Sequence, residues 1–452
     1  MSLSNAEVAH VLIALALLLV AAHGVGHLFA HFKQPRVIGE ILGGLALGPT
    51  LFGALLPEQQ LQIFPDEGVT AAILGAVYQL GLLLLMYCSG SEIRSQFHRG
   101  DGKPVTCIIL FGTLFPLVTG ILFIGLFDPE QLEGTAGNPT SLLLVFAIAI
   151  AVTSIPVISR IMFDLGILET AFARIVLAAA VIEDILLYVM LAIALGLVQQ
   201  RGSENFGFQT LMGIDPGSDL GVAYHVIATI AFFGIFLAFG SKLFRTVRRF
   251  RYNLVNRSSP IAFQLVFMVA ICTLCVFLGV VPLLGAFVAG MVATTSGKNQ
   301  AQARETIKSF SFAFFIPIYF AIVGLRLNLI GEFDPIFFLL FLTFACAVKS
   351  ISVYAGSRIA GEAPPASRNF AAAMNARGGP GIVLASAAFD AGIIDEGFYS
   401  TLVMLAIVTS LIAGVWLERV VRSGRPLRPQ SPSEPVAKTS PKARDLAVGS
   451  KD

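Results

Sequence analysis

Charge is scarce in this chain of 452 residues, because Asp, Glu, Lys and Arg together make up 13% of it. Soluble globular domains carry roughly 25%. Hydrophobic residues make up 56%, and the mean hydropathy is +0.81. This balance excludes a soluble enzyme. Continuous apolar runs of about 20 residues recur along the chain, each long enough to cross a bilayer, so the sequence predicts an all-α polytopic membrane protein.

Residues that build metal or redox sites are also few, with five cysteines and six histidines in the whole chain. Cys272 and Cys275 form a CxxC, but no second pair or nearby histidine completes a zinc site. No ATP-binding motif and no GxGxxG is present. We therefore expect no cofactor and no nucleic-acid partner. Any work that the protein does should be driven by an ion gradient across the surrounding lipid bilayer.

Thirteen apolar segments are predicted to span the membrane. They lie at about 8–30, 37–56, 70–90, 104–127, 141–163, 170–198, 222–246, 261–280, 281–296, 309–328, 335–358, 369–390 and 399–420. The first has no basic n-region and no small-residue cleavage site, so we interpret it as a retained helix. Of the 30 Lys and Arg residues, 26 lie in or beside alternate loops, starting after the first segment, and only two lie in the opposite set. Cytoplasmic loops are enriched in these residues, which places the N-terminus outside and the C-terminus inside.

Two pairs of similar short motifs predict an inverted repeat. Gly39-x4-Gly44 resembles Gly285-x4-Gly290, and Gly90-x-Glu92 resembles Gly324-x-Arg326. Repeat one would cover about 8–198, a linker helix 222–246, and repeat two about 261–420, an architecture common in transporters. The alternative is chance, since glycine is frequent in membrane helices. The transmembrane domain would then be 1–422, followed by a Pro-, Ser- and Lys-rich cytoplasmic tail, 423–452, that we expect to be disordered.

Five ionisable residues inside apolar spans are candidate site residues: Glu40, Glu183, Asp184, Lys349 and Arg377. Each costs roughly 2.5–3.5 kcal/mol on insertion scales, so they are expected to face the bundle interior or a water-filled cavity. Neighbours on a helix point roughly 100° apart, so Glu183 and Asp184 cannot serve one cavity in the same way. One would line an ion pathway while the other pairs with Lys349. The alternative is a structural ion network with no role in transport.

Two spans carry helix-breaking residues at mid-depth. Thr153 and Ser154 precede Pro156 in the fifth span, and Asn375 and Arg377 precede Gly378-Gly379-Pro380-Gly381 in the twelfth. Proline removes a backbone donor and clashes with the preceding turn. Interrupted helices at corresponding places in two repeats indicate a midplane ion site, where freed carbonyls and hydroxyls coordinate a cation. The alternative is a simple proline kink in each span.

Two other polar features allow no single interpretation. Glu40 either lines a cavity or pairs with a nearby arginine at the cytoplasmic edge. His23, His27 and His31 recur on one face of the first span. Their spacing would suit a metal site or a proton relay, but no carboxylate accompanies these histidines in the sequence, so we favour an interfacial stripe.

Four stretches together resemble a known family: RVIGEILGGLALGPTLFG, TSIPVISRIMFDLGIL followed by AAAVIEDILL, FFIPIYFAIVGLRLNL, and MNARGGPGIVLA. They are similar to the monovalent cation:proton antiporter-2 family over about residues 35–420. The resemblance implies a homodimer with a dimer domain and a core domain that moves like an elevator. It implies that Asp184 carries the cation and the proton and that Lys349 pairs with the acidic motif. Glu183 matches neither the Asp of electrogenic members nor the Asn or Gln of electroneutral ones, which leaves the stoichiometry open.

The predicted function is secondary antiport of Na⁺ or K⁺ against H⁺ in the inner (plasma) membrane. The candidate ion- and proton-binding residues are Asp184, Glu183, Thr153, Ser154 and Asn375, with the transported cation on Asp184 and Thr153; Lys349 and Arg377 are charge-pairing candidates. Three alternatives stay open: a transporter of an organic compound on the same fold, a channel, and a membrane protease of the GxGD type. The protease needs two catalytic aspartates, whereas the sequence has one deep aspartate and no GxGD.

Overall fold

The computed structural model describes residues 3–32, 34–93, 102–199, 207–215, 218–250, 253–293 and 298–428. These residues form helices and connecting loops, with one isolated β-bridge between Glu133 and Ile394 and no strand among them. The predicted tail lies outside the described residues from 429 onwards. The start of the predicted tail is described and contacts the helices, because Arg428 Nη2 donates to Glu362 Oε1 at 2.9 Å. The packed region therefore extends to Arg428, beyond the predicted boundary.

Sixteen helices form the described bundle. They are α1 Asn5–His31, α2 Arg36–Leu47, α3 Val69–Ile93, α4 Gly102–Phe127, α5 Pro139–Ala151, α6 Ile155–Asp164, α7 Ala171–Gln199, α8 Asp219–Arg249, α9 Pro260–Phe277, α10 Pro282–Ala293, α11 Lys298–Ala313, α12 Phe315–Leu325, α13 Pro335–Ala360, α14 Pro364–Ala373, α15 Gly378–Asp390 and α16 Glu396–Arg422. Helix is present at each of the thirteen predicted positions. In the described part of the chain, ten helical segments are long and apolar enough to cross a membrane, and α5 and α10 are shorter apolar helices. The count of thirteen spans and their orientation stay predictions.

Short polar sequences define where the long helices begin. Ser4 and Glu7 form a capping box at the start of α1: the Glu7 amide donates to Ser4 Oγ at 3.3 Å, and the Ser4 amide donates to Glu7 Oε2 at 2.8 Å. Asp334 caps α13 by accepting from the amides of Ile336 and Phe337. Such caps satisfy the backbone donors that have no partner at a helix N-terminus.

The helices pack as two bundles. The first bundle contains α1–α3 and α9–α12, and the second bundle contains α4–α7 and α13–α16. Helix α8 packs on α7 of the second bundle and on α10 of the first. Each bundle therefore combines helices from both predicted repeats, and α8, the predicted linker, joins them.

Glycines allow two very close helix crossings in the first bundle. A Cβ on Gly44 or Gly324 would lie 1.8 or 1.9 Å from a carbonyl oxygen of the facing helix, where α2 crosses α12. A Cβ on Gly90 or Gly290 would lie 2.0 or 2.1 Å from such an oxygen, where α3 crosses α10. The predicted repeat aligns Gly44 with Gly290 and Gly90 with Gly324. The α2–α12 and α3–α10 crossings are therefore equivalent under the predicted repeat, and the inverted repeat itself stays a prediction.

Candidate ion site between two broken helices

Two helix breaks lie side by side in the second bundle. α5 ends at Ala151 and α6 begins at Ile155; α14 ends at Ala373 and α15 begins at Gly378. Pro156 and Pro380 both lie in the first turn after the break, where a backbone amide has no helical partner in any case. Both interruptions are therefore non-helical crossings, and a simple proline kink describes neither of them.

The two breaks are hydrogen-bonded to each other. Thr153 Oγ1 donates to the Met374 carbonyl at 2.6 Å, and the Ser154 amide donates to the Ala376 carbonyl at 2.6 Å. Thr153 and Ser154 are fully buried. Irregular backbone at membrane depth persists only where its polar groups find partners inside the protein. Here each broken helix supplies partners for the other.

Two buried, positively charged side chains cap the C-terminal end of α5. Arg377 donates from Nε to the Ala149 carbonyl and from Nη2 to the Ile150 carbonyl, each at 3.1 Å. Lys349 Nζ contacts the Ala151 carbonyl. The last carbonyls of a helix lack partners and carry its partial negative charge, so cations stabilise that end. Protein cations therefore bind three of the carbonyls at this break, and coordination of the transported cation by freed carbonyls stays a prediction.

Glu183 and Lys349 form an ion pair inside the second bundle. Lys349 Nζ contacts Glu183 Oε1 and donates to the Gly112 carbonyl at 2.8 Å. Both side chains are fully buried. Thr153 lies next to the Glu183 carboxylate. Glu183 Oε2 is buried and accepts no hydrogen bond from the described residues. The pair thus connects α7 and α13 beside the first break.

Asp184 lies beside this pair but outside it. It is 2% exposed, and its Oδ1 is buried with no hydrogen-bond partner among the described residues. The charges of Glu183 and Lys349 act on it from nearby. Buried polar atoms are nearly always hydrogen-bonded, so an orphaned carboxylate oxygen in a membrane helix indicates a site for a ligand.

The remaining predicted residues hold the second break. Asn375 Nδ2 donates to Ser350 Oγ at 2.8 Å, and Asn375 Oδ1 accepts from Arg377 Nη1 at 3.1 Å. Ser154 Oγ accepts from the Val157 amide at 3.4 Å and so caps α6. Hydrogen bonds from Asp184 to Thr153, Ser154 or Asn375 are absent within the described part of the chain. The structure places Thr153, Glu183, Lys349, Arg377 and Asn375 in one connected network, with Asp184 at its edge.

A cavity of about 800 Å³ lies between the first bundle and α6. It is lined by His23, Gly26, His27, Pro35, Arg36, Val37, Glu40, Ile155, Val157, Ser159, Arg160, Phe163, Leu168, Lys308 and Phe312. Its wall on the second bundle begins at Ile155, directly after the first break. The sequence shows no carboxylate beside the histidines of α1, whereas the structure brings Glu40 of α2 to the same cavity as His23 and His27.

A contact between the two bundles was missed by sequence reasoning. Arg326 Nη1 donates to Asp390 Oδ1 at 2.5 Å, and Tyr78 Oη donates to Asp390 Oδ2 at 2.8 Å. The Arg326 guanidinium also lies 4.6 Å from the centre of the Tyr78 ring. The three residues connect α3 and the end of α12 to the end of α15. The one signal in the sequence is Gly324-x-Arg326, which resembles Gly90-x-Glu92 of the other predicted repeat.

Comparison with known proteins assigns the chain to a family. The family model described as "Sodium/hydrogen exchanger, transmembrane" matches residues 13–423. The chain belongs to the sodium/hydrogen exchanger family. The resemblance to cation/proton antiporters is thereby confirmed. A family of exchangers is a family of transporters, so the protein is not an enzyme and the membrane-protease alternative is excluded.

Relatives of this sodium/hydrogen exchanger family member cover most of its length. The Na⁺/H⁺ antiporter NhaS4 of Synechocystis sp. is 28% identical over 396 residues, which are 86% of this chain and 91% of that protein. The K⁺/H⁺ antiporter 1 of Saccharomyces cerevisiae is also 28% identical, over 85% of this chain but only 43% of that longer protein. The solved structure of the sodium proton antiporter MjNhaP1 from Methanocaldococcus jannaschii covers 92% of this chain and 99% of its own, with a TM-score of 0.59 at 15% identity. That likeness establishes the shared fold.

Proposed function

We propose that this exchanger-family protein is a secondary antiporter that exchanges a monovalent cation, Na⁺ or K⁺, for H⁺ across the plasma membrane. The observation that carries the proposal is Asp184: a buried carboxylate in a membrane helix, beside a broken-helix crossing, with an oxygen that has no partner among the described residues. Relatives named for Na⁺ and for K⁺ are both similar to the chain, so the proposal includes both cations.

The chemistry follows from the cost of a buried charge. An isolated carboxylate at membrane depth is strongly disfavoured, so it is neutralised either by a proton or by a bound cation. Lys349 forms an ion pair with Glu183. In this proposal the transported ions therefore neutralise Asp184. One carboxylate cannot hold a proton and a cation together. Competition at Asp184, with access alternating between the two sides, therefore produces obligatory exchange.

The other candidate residues have supporting roles in this proposal. Thr153 donates its hydroxyl proton to the Met374 carbonyl, so the lone pairs of its oxygen are available to a cation. Lys349 and Arg377 hold the end of α5 in place. Ser154 and Asn375 connect the two breaks and orient α6 and α15. These residues position the site, whereas Asp184 carries the ion.

We propose an elevator-type movement in which the second bundle, which holds the site, moves against the first. Two features support this: the bundles are separately packed, and the 800 Å³ cavity lies at their boundary and reaches the first break. Arg36, Arg160 and Lys308 line this cavity, and basic residues mark the cytoplasmic side. The structure would then correspond to an inward-facing conformation. The homodimer expected from the resemblance belongs to the same proposal, with the first bundle as the static unit.

The decisive experiment measures cation-dependent proton flux in proteoliposomes with an imposed pH gradient. Wild-type protein is expected to dissipate the gradient on addition of Na⁺ or K⁺ but not choline. Asp184→Asn should abolish this flux while still inserting and migrating as a folded protein in size-exclusion chromatography. Glu58→Gln, a matched removal of an exposed carboxylate, should leave the flux unchanged. Substantial flux in Asp184→Asn would refute the proposal.

A further inference from the structure

Glu40 is a buried carboxylate that the proposed exchange at Asp184 leaves without a role. It lies on α2 inside a predicted span and is only 8% exposed. Its carboxylate makes no hydrogen bond and no ion pair in the described part of the chain, and Arg36, one turn earlier on the same helix, is the charge that acts on it. A buried charge without a direct partner is costly, and such residues in membrane helices mark functional sites.

The surroundings of Glu40 form a place that an ion can enter. Glu40 lines the 800 Å³ cavity between the bundles, and Ile155, the first residue of α6 after the break, lines it on the facing side. The cavity therefore connects Glu40 with the broken-helix crossing beside Asp184. Gly26 of α1 makes room for the Glu40 side chain, because a Cβ at this position would lie 3.3 Å from Glu40 Cγ.

The charges around this cavity make Glu40 distinctive. Arg36, Arg160 and Lys308 line it, whereas Glu40 is the one carboxylate among its described lining residues. A cleft with basic walls repels cations, and a single carboxylate inside it changes the local potential where a cation must pass. Carboxylate, carbonyl and water oxygens are suitable ligands for a partly hydrated alkali cation. Glu40 supplies the only anionic oxygens that the cavity lining offers within the described residues.

We propose that Glu40 is a second monovalent-cation site, an entry site that concentrates the cation in the cavity before it reaches Asp184. This inference rests on the proposed antiport function. Glu40 binds the cation on its way in and carries none across the membrane. It therefore affects how much cation is needed for half-maximal transport and leaves the rate at saturation unchanged.

The test is the cation dependence of exchange in proteoliposomes, with protein oriented so that the cavity side faces the varied cation. Glu40→Gln should raise KM for the cation about three- to tenfold with Vmax within about twofold of wild type, as expected when ground-state binding alone is lost. Glu40→Asp, which retains the charge, should recover most of the affinity. Arg36→Gln removes the opposing charge of an exposed residue one turn away and should lower KM. Glu58→Gln is the matched control and should change neither quantity.

Three results would overturn the entry site. These are a KM in Glu40→Gln equal to that of Glu58→Gln, a loss of Vmax at unchanged KM, and a Glu40→Asp variant no better than Glu40→Gln. If Glu40→Gln fails to insert, Arg36→Gln decides: a lowered KM supports the site and an unchanged KM overturns it. Wild-type exchange and its loss in Asp184→Asn are measured in the same vesicles. Failure of the entry site is thus distinguished from failure of the antiport function.

Discussion

Lys349 of α13 contacts Glu183 of α7 within the second bundle, where neither side chain is exposed. Within the residues that the structure describes, the adjacent Asp184 forms no ion pair of its own. Neighbouring residues on one helix point about 100° apart, so a single lysine cannot serve both carboxylates equally. In the proposed mechanism the two adjacent acids therefore have different roles: Lys349 neutralises Glu183, and Asp184 binds the transported ion.

Removing Lys349 should destabilise the protein more than removing both partners. Truncating one member of a buried ion pair leaves the other charge without compensation and costs about 3–5 kcal/mol. Lys349→Ala should therefore lower the thermal midpoint in detergent, and adding Glu183→Gln should restore part of the loss. Lys103→Ala, which removes an exposed lysine at the start of α4, serves as the control. Additive losses in the double variant would contradict the pairing role.

The membrane potential tests whether Glu183 also carries a proton. If Glu183 only neutralises Lys349, Glu183→Gln should not change how transport responds to an imposed potential. The measurement compares exchange rates with and without a valinomycin-clamped K⁺ potential, using Na⁺ as the transported cation. A wild type that responds to the potential and a Glu183→Gln variant that does not would assign the second proton to Glu183.

Arg377 should tolerate no conservative replacement. Its planar guanidinium donates to the carbonyls of Ala149, Ile150 and Ala345, which approach it from two different helices. Lysine is a point charge and cannot reproduce this geometry. Arg377→Lys should lower both the thermal midpoint and the exchange rate, because the buried end of α5 loses hydrogen-bond partners. Arg368→Lys, on α14 near the bundle surface, is the comparison; equal behaviour of the two variants would argue against the capping role.

Asp390 should influence the balance between conformations more than stability. The Arg326–Asp390 pair is partly exposed, at 35% and 24%, so its removal should cost only about 0.2–1 kcal/mol. Because it ties α15 to the first bundle at the end of the helix, Asp390→Asn should ease separation of the bundles there. We expect faster labelling of Ser386→Cys by a membrane-impermeant maleimide, in a background without the five native cysteines.

Two further variants serve as controls for the labelling of Ser386→Cys. Tyr78→Phe removes one hydrogen bond to Asp390 without changing any charge and should have an intermediate effect. Glu332→Gln removes an exposed carboxylate and should not alter the labelling rate. Identical labelling in Asp390→Asn and Glu332→Gln would show that the contact does not restrain the bundles.

The close crossing of α2 and α12 predicts a large difference between two glycine variants. In Gly44→Ala the new Cβ would lie 1.8 Å from a backbone carbonyl oxygen, so the helices must separate. Overpacking of this kind typically costs about 1–3 kcal/mol. Gly24→Ala on α1 meets nothing within 4 Å and should be neutral or slightly stabilising, since alanine favours helix. The thermal midpoints of the two variants in detergent provide the comparison.

Local properties of the sequence accounted for the helices and for both breaks. Apolar runs of membrane length must be helical, because only a helix satisfies its own backbone in lipid. Pro156 and the run from Gly378 to Gly381 disfavour a continuous helix whatever their surroundings. The same local reasoning identified Asp184 and Lys349 as residues that must face the interior, since charge at membrane depth is costly wherever the chain goes.

The partners of these residues were decided only by the tertiary structure. Glu183 and Lys349 are 166 positions apart, Arg377 and the Ala149 carbonyl 228, and Tyr78 and Asp390 312. Carbonyls that look free in a broken helix proved to be occupied by Lys349 and Arg377. Glu40 of α2 and two histidines of α1, His23 and His27, are unrelated in sequence pattern but line one cavity. The free-energy cost of burying a charged side chain can be inferred from the apolar residues around it in the sequence. Which residues offset that cost depends on which distant helices pack together, and this is a property of the tertiary structure.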